Sequence, residues 1–126
     1  MRYVLDTTFV IDYLRGLPAA VDRFRAMFEA GDDPIVTDIV TAEAWSGTSP
    51  GGDDALERLL RYIEYVHPGP ATSRVAGGWR AAARRRGRTL SPPDALVAAT
   101  AHDLAAAVLT RSVRDYALTP ARIETY

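Results

Sequence analysis

The chain opens on a short apolar run, Tyr3-Val4-Leu5, that stops at Asp6, after which apolar side chains return at Phe9, Val10, Tyr13 and Leu14. A run followed by helical spacing predicts a strand over 2–5 and a short helix over 7–14, closed by Gly16 and Pro18. Val21, Phe24, Met27 and Phe28 recur at intervals of three and four and predict an amphipathic helix from Ala19 to Ala30. Gly31 to Pro34 reads as a loop and Ile35-Val36 as a short buried strand. Thr37 or Asp38 can then cap a helix through Ile39, Val40, Ala44 and Trp45. Ser46 to Gly52 is the most loop-like stretch of the chain. Asp53 is expected to cap a helix that turns Leu56, Leu59, Leu60 and Ile63 inward. Tyr65-Val66-His67 predicts a weak strand, and a helix follows from Ala71 to Arg86, ended by Gly87. Ser91 opens a helix to about Ala106, Ala107 to Thr110 is a strand, Ser112 to Tyr116 a turn or short helix, and Arg122 to Thr125 a last strand.

Strands thus alternate with helices, which predicts an α/β fold: a central, mainly parallel sheet covered by helices on both faces. At 126 residues the chain has the length of one domain, 1–126, and no linker or repeat divides it. Its folded surface is expected to be roughly 6,600 Å².

Composition removes several chemistries. There is no cysteine, hence no disulfide, thiolate metal site or cysteine nucleophile, and the two histidines, His67 and His102, supply zinc poorly. There is no lysine: all 15 basic residues are arginine, which excludes a P-loop and Schiff-base chemistry. The net charge of −1 shows no overall basic excess, so a nucleic-acid role needs local basic clusters. No apolar run reaches membrane-spanning length and the N-terminus lacks a signal-peptide pattern, so a cytoplasmic protein without membrane partners is expected.

Four carboxylates stand where carboxylates are awkward. Asp6 ends the first strand; Asp is a good helix cap, but in open parallel sheets ligands bind at the carboxyl ends of central strands. Glu43 falls on the apolar stripe of its helix, four residues after Ile39 and three after Val40, where it needs an arginine or a cation. Asp94 sits in Ser91-Pro92-Pro93-Asp94, which has the form of a capping box, yet it aligns with Val97, Ala98 and Ala101 on the inward face. Asp115 follows the Ala107–Thr110 strand and reads either as a solvated loop acid or as another group at a strand end. Asp12, Asp22, Asp53, Asp54, Glu57 and Asp103 read as solvated. Together Asp6, Glu43, Asp94 and Asp115 suggest one acidic cluster, which an oxygen-preferring cation such as Mg²⁺ or Mn²⁺ would neutralise. Such ions serve phosphoryl chemistry.

Val4 to Asp12, Thr41-Ala42-Glu43 with Gly47, Ser91 to Ala101, and Leu109-Thr110-Arg111-Ser112-Val113-Arg114-Asp115-Tyr116 occur in that order. This succession resembles the PIN-domain ribonucleases, in particular the VapC-like toxins of bacterial toxin–antitoxin pairs, along nearly the whole chain. The resemblance implies a PIN-like three-layer α/β/α sandwich and a Mg²⁺- or Mn²⁺-dependent endoribonuclease. It places Asp6, Glu43 and Asp94 at the family's first three acidic positions. Many relatives read Thr-x-Asn or Thr-x-Asp where this chain has Ser112, and Asp115 matches the other common acidic position. By the same resemblance Thr7, Thr8 and Ser112 are candidate hydroxyl helpers. A metal-activated water would attack an RNA phosphate and leave 5′-phosphate and 3′-hydroxyl ends.

Arg80, Arg84, Arg85, Arg86 and Arg88 form the densest basic cluster, either a solvated helix end or an RNA-binding patch preceding Asp94. The family implies a small VapB-like antitoxin and a homodimer or toxin–antitoxin hetero-oligomer. The apolar residues of the first two helices divide between core and a groove for a partner helix. A haloacid-dehalogenase-type phosphatase would want a second Asp at position 8, which is Thr, and a lysine. The remaining rival is a PIN-like RNA- or protein-binding module without catalysis: Ser112 favours it and the retained acids oppose it.

Overall fold

The computed structural model describes residues 1–51 and 53–126, with Asp53 described by its backbone alone. Five strands run β1 (Arg2–Leu5), β2 (Asp33–Thr37), β3 (Glu64–Val66), β4 (Ala107–Leu109) and β5 (Arg122–Glu124). Six helices alternate with them: α1 (Thr7–Leu14), α2 (Pro18–Ala30), α3 (Asp38–Ser46), α4 (Asp53–Leu60), α5 (Pro70–Arg85) and α6 (Pro92–Asp103). Val113–Tyr116 forms one turn of 3₁₀ helix. The strands are all parallel, in the order β3-β2-β1-β4-β5, and the fold is the expected PIN-like α/β/α sandwich.

That order decides where a ligand can bind. The chain leaves β1 towards β2 and β3 on one side, then returns to place β4 and β5 on the other. The connections therefore reverse direction at β1 and β4, and the crevice outside their carboxyl ends is left open. Asp6 and Thr110 are the residues directly beyond those two ends. Their backbones extend the ladder: the Asp6 N–H donates to the Leu109 carbonyl at 3.1 Å and the Thr110 N–H to the Glu124 carbonyl at 3.0 Å.

The central strands read as near-continuous apolar runs because both faces are covered: Val4, Leu5, Ile35, Val36, Val108 and Leu109 are fully buried. Phe9, Val10, Phe24 and Met27 join this core, whereas Tyr13 and Leu14 only partly cover it and Phe28 is 46% exposed. A second small cluster, Ala76, Ala83, Leu90, Ala95 and Ala99, holds α5 against α6, and the alanines let the two helices approach closely. The accessible surface, 6936 Å², is close to that expected for the length.

The element boundaries depart from expectation at a few points. α6 stops at Asp103, because Ala105 adopts a left-handed φ of 52° and the Ala106 N–H bonds back to the Ala101 carbonyl at 2.8 Å. Trp45, on the predicted third helix, is 39% exposed. α4 does begin at Asp53, but the expected cap by that side chain lies outside the described residues, as does Gly52 at the end of the expected loop.

Candidate active site

Asp6 sits at the N-cap position of α1, but its side chain makes no cap hydrogen bond. The capping explanation therefore does not account for the carboxylate. Three hydroxyls hold it instead: Thr110 Oγ1 donates to Oδ2 at 2.7 Å, Thr8 Oγ1 to Oδ2 at 3.0 Å, and Tyr116 Oη to Oδ1 at 2.8 Å. Asp6 is 6% exposed, so these donors take the place of water. Burial, with the Asp6 charge next, pushes the Tyr116 hydroxyl far above its usual pKa and keeps it a donor.

Glu43 lies half-buried on α3, and the Thr7 hydroxyl donates to its Oε1 at 2.8 Å. The arginine partner considered from sequence is not what holds it; consecutive threonines at the start of α1 serve two acids, Thr7 for Glu43 and Thr8 for Asp6. Asp94 is both things the sequence allowed. Its N–H donates to Ser91 Oγ at 3.3 Å, so Ser91 caps α6. Its carboxyl is half-buried and its pKa is raised, first by burial and then by the charges of Asp6, Asp115 and Glu43, against the lowering influence of Ser91. Asp6 just beyond β1, Glu43 on α3 and Asp115 in the 3₁₀ turn thus all bear on the Asp94 carboxyl. Asp115 is exposed, and its charge also bears on Tyr116.

Among the described residues no three His, Cys, Asp or Glu side chains converge tightly enough to hold an ion by direct contact alone. The donor chemistry nonetheless fits a hard divalent cation. All the candidate groups are oxygens, and none of the ion pairs formed among the described residues involves Asp6, Glu43, Asp94 or Asp115. Mg²⁺ commonly uses only one or two carboxylates and keeps several waters, which suits carboxylates that gather without touching.

The candidate helpers are not equivalent. Thr7 and Thr8 engage acids through their hydroxyls, whereas Ser112 engages through its backbone, donating its N–H to Thr110 Oγ1 at 2.9 Å. Sequence reasoning missed Thr110 and Tyr116. Thr110 had a legible signal, since it ends β4 as Asp6 ends the neighbouring β1. Tyr116 had none, because its hydroxyl reaches Asp6 only through the fold. Asp12 corrects the sequence reading: expected to be solvated, it is 5% exposed, accepts from Tyr126 Oη at 2.7 Å and pairs with Arg111 Nε at 3.1 Å. The C-terminal tyrosine packs edge-on to Phe9 and so brings a partner to a carboxylate that α1 turns inward.

The arginine cluster also separates. Arg80 is partly buried and donates from Nε to the Leu90 carbonyl at 2.9 Å, tying down the loop before α6. It is a structural arginine here, while Arg84, Arg85, Arg86 and Arg88 stand exposed, the last of them six residues before Asp94.

The PIN domain family model matches residues 3–114, and the chain belongs to that family. Ribonuclease VapC19 from Mycobacterium tuberculosis is 28% identical over 117 residues, covering 93% of this chain and 94% of that protein. Two solved complexes share the fold. VapBC2 from Rickettsia felis, bound to a DNA fragment from its promoter, aligns with a TM-score of 0.86 at 17% identity, over 99% of this chain and 98% of that one. DNA-bound VapBC from Salmonella typhimurium aligns with a TM-score of 0.86 at 20% identity and the same coverage.

Proposed function

We propose that this protein is an endoribonuclease, the toxin of a toxin–antitoxin pair, and that Asp6, Glu43, Asp94 and Asp115 form its active site. The observation that carries this reading is Asp6: a carboxylate 6% exposed, held by three hydroxyls and in no ion pair among the described residues, directly beyond β1 at the open switch point of the sheet. Such an arrangement costs stability unless a cation offsets it. Likeness to Ribonuclease VapC19 over most of both chains supports the activity.

Asp6 and Asp94 would hold a Mg²⁺ or Mn²⁺ ion, with Glu43 and Asp115 completing its surroundings through water. Bound there, the ion would acidify water and neutralise charge on the attacked phosphate. The chain's own part is positioning. Thr8, Thr110 and Tyr116 fix the Asp6 carboxylate, Thr7 fixes Glu43, and the α6 N-terminus with Ser91 fixes Asp94. No protein nucleophile is required. Arg84, Arg85, Arg86 and Arg88 would follow the RNA backbone.

An antitoxin of the VapB kind would occupy the cleft of about 390 Å³ whose walls include Tyr13, Leu14, Val21, Phe24, Leu59 and Tyr62. Tyr62 is 70% exposed there and leaves its ring open to a partner. The test is cleavage of total RNA by wild type and Asp94→Asn, purified in parallel, with Mg²⁺, Mn²⁺ or EDTA. Discrete fragments from wild type with metal alone support the reading; the same pattern from both proteins refutes it.

A further inference from the structure

Arg111 follows Thr110 just beyond the end of β4 and has no part in the function described above. Three contacts fix where it stands. Its backbone N–H donates to Thr8 Oγ1 at 3.3 Å, and that hydroxyl donates in turn to Asp6 Oδ2 at 3.0 Å. The preceding residue, Thr110, donates to the same carboxylate oxygen at 2.7 Å. The Arg111 Nε lies 3.1 Å from Asp12 Oδ2. The backbone of Arg111 is therefore one hydroxyl removed from the Asp6 carboxylate, and its side chain reaches Asp12. Thr8 and Asp12 are four residues apart, so they share one face of α1, a turn or about 5.4 Å apart along the axis. The guanidinium thus stands beside the acidic crevice, about one helical turn beyond the hydroxyl that holds Asp6.

The two ends of this ion pair differ. Asp12 is buried, and the Tyr126 hydroxyl donates to it at 2.7 Å, so the carboxylate is fixed. The Arg111 side chain is 58% exposed. A guanidinium carries five N–H donors in a rigid plane. Asp12 engages it at Nε, and the hydrogen bond that Arg111 makes among the described residues comes from its backbone, which leaves both Nη groups without a hydrogen-bond partner there. Neutralising Asp12 accounts for the Nε contact. It leaves the remaining donors held in place and open to an oxyanion.

The ligand follows from charge. Asp6, Glu43, Asp94 and Asp115 repel an RNA backbone, and a cation bound among them offsets that repulsion for one phosphate. A strand laid across the crevice brings a second phosphate beside the first. We infer that Arg111, oriented by Asp12, holds a backbone phosphate flanking the one that the carboxylates face, and so sets the register of the RNA strand on the site. Asp12 is the positioning residue of this contact. The inference rests on the ribonuclease reading and adds to it a contact that positions the strand without reading its bases.

The test is binding of a fluorescein-labelled uridine decamer in EDTA, read by anisotropy between about 50 and about 200 mM salt, where nothing depends on metal or cleavage. Arg111→Gln binds about tenfold more weakly at the lower salt, and its slope of log Kd against log salt is flatter by about 0.7, the share of one phosphate on a single strand. Removing Arg111 alone leaves the buried Asp12 without its cation. Asp12→Asn combined with Arg111→Gln is therefore measured beside it, since the Asn side-chain oxygen still accepts from Tyr126 and no charge is stranded. This double variant regains Tm and keeps the flattened slope. Arg122→Gln, which removes an exposed arginine at the amino end of β5, leaves the slope unchanged. A wild-type slope in Arg111→Gln, or a slope restored with Tm in the double variant, shows that Arg111 only neutralises Asp12 and overturns the phosphate contact. An equal flattening in Arg122→Gln, or a wild type that binds no RNA at the lower salt, overturns it too. Cleavage of total RNA with metal judges the ribonuclease reading separately. Cleavage with an unchanged slope in Arg111→Gln overturns the phosphate contact alone, and a flattened slope with no cleavage of any RNA overturns the ribonuclease reading alone.

Discussion

Tyr116→Phe removes one oxygen and leaves the packing of the ring untouched. The ring is 1% exposed, and its hydroxyl is the side-chain donor to Asp6 Oδ1, at 2.8 Å. Oδ2 keeps Thr8 and Thr110, but Oδ1 is left on a carboxylate that is 6% exposed and has little access to water. Losing a hydrogen bond to a buried charged group costs about 1.5–3 kcal/mol, or roughly 5–10 °C in Tm for a chain of this size. Alkaline titration reads the burial of the same hydroxyl. Tyr116 has its pKa raised by burial and by Asp6. Below pH 10 the folded and unfolded chains both keep this proton and the contribution is complete. Above pH 10 the unfolded chain releases it while the folded chain retains it, so stability falls by about 1.4 kcal/mol per pH unit from this residue. Urea unfolding followed by circular dichroism at pH 7 and from pH 10 upwards reads both effects. Tyr116→Phe is expected to be less stable at pH 7 and to lose that share of the alkaline slope. Outer partners of metal-binding carboxylates typically contribute 10–100-fold to activity, and a fall of about that size in RNA cleavage is expected as well. A variant as stable as wild type at pH 7 with an unchanged alkaline slope would refute the assignment of Tyr116 as the group that holds Asp6.

Asp94→Asn is expected to raise Tm in metal-free buffer at pH 7, because a raised pKa means that the ionised carboxyl destabilises the fold; a lower Tm in differential scanning fluorimetry would contradict the crowding of Asp94 by its neighbours. Asp12→Ala strands the Tyr126 hydroxyl and releases Arg111, and should cost about 2 kcal/mol in urea unfolding, whereas a solvated acid would cost nothing measurable. Arg86→Glu should weaken RNA binding and flatten its dependence on salt concentration by about one phosphate contact, with folding unchanged; identical salt slopes would remove the arginine end of α5 from the RNA path.

The alternation of elements was legible because each strand is an apolar run between turn residues and each helix carries its own stripe. The position of Asp6 followed from the same pattern, since a strand that ends in a carboxylate at the centre of a parallel sheet points to a site. What the sequence could not display is contact between distant elements. Tyr116 and Asp6 lie 110 residues apart and meet only because β1 and β4 are neighbours. Asp12 looked solvated because helical spacing alone does not reveal that Tyr126 and Arg111 cover that face of α1. Arg80 looked like a member of a basic patch because its carbonyl partner belongs to the following loop. In the first two helices, periodicity marks Phe9, Val10, Tyr13, Leu14, Val21, Phe24, Met27 and Phe28 alike as apolar; only packing shows that Phe9, Val10 and Met27 are wholly core, that Tyr13, Leu14 and Val21 border the open cleft, and that Phe24 does both.

The most direct test of the account is equilibrium binding of Mn²⁺ to the intact protein, followed by electron paramagnetic resonance, for wild type and Asp94→Asn. It needs no RNA and is blind to contaminating nucleases. Binding by wild type, weakened about 10–100-fold or more in Asp94→Asn, is the result the carboxylate cluster predicts. Absence of binding at millimolar Mn²⁺, or equal binding by the two proteins, would contradict it.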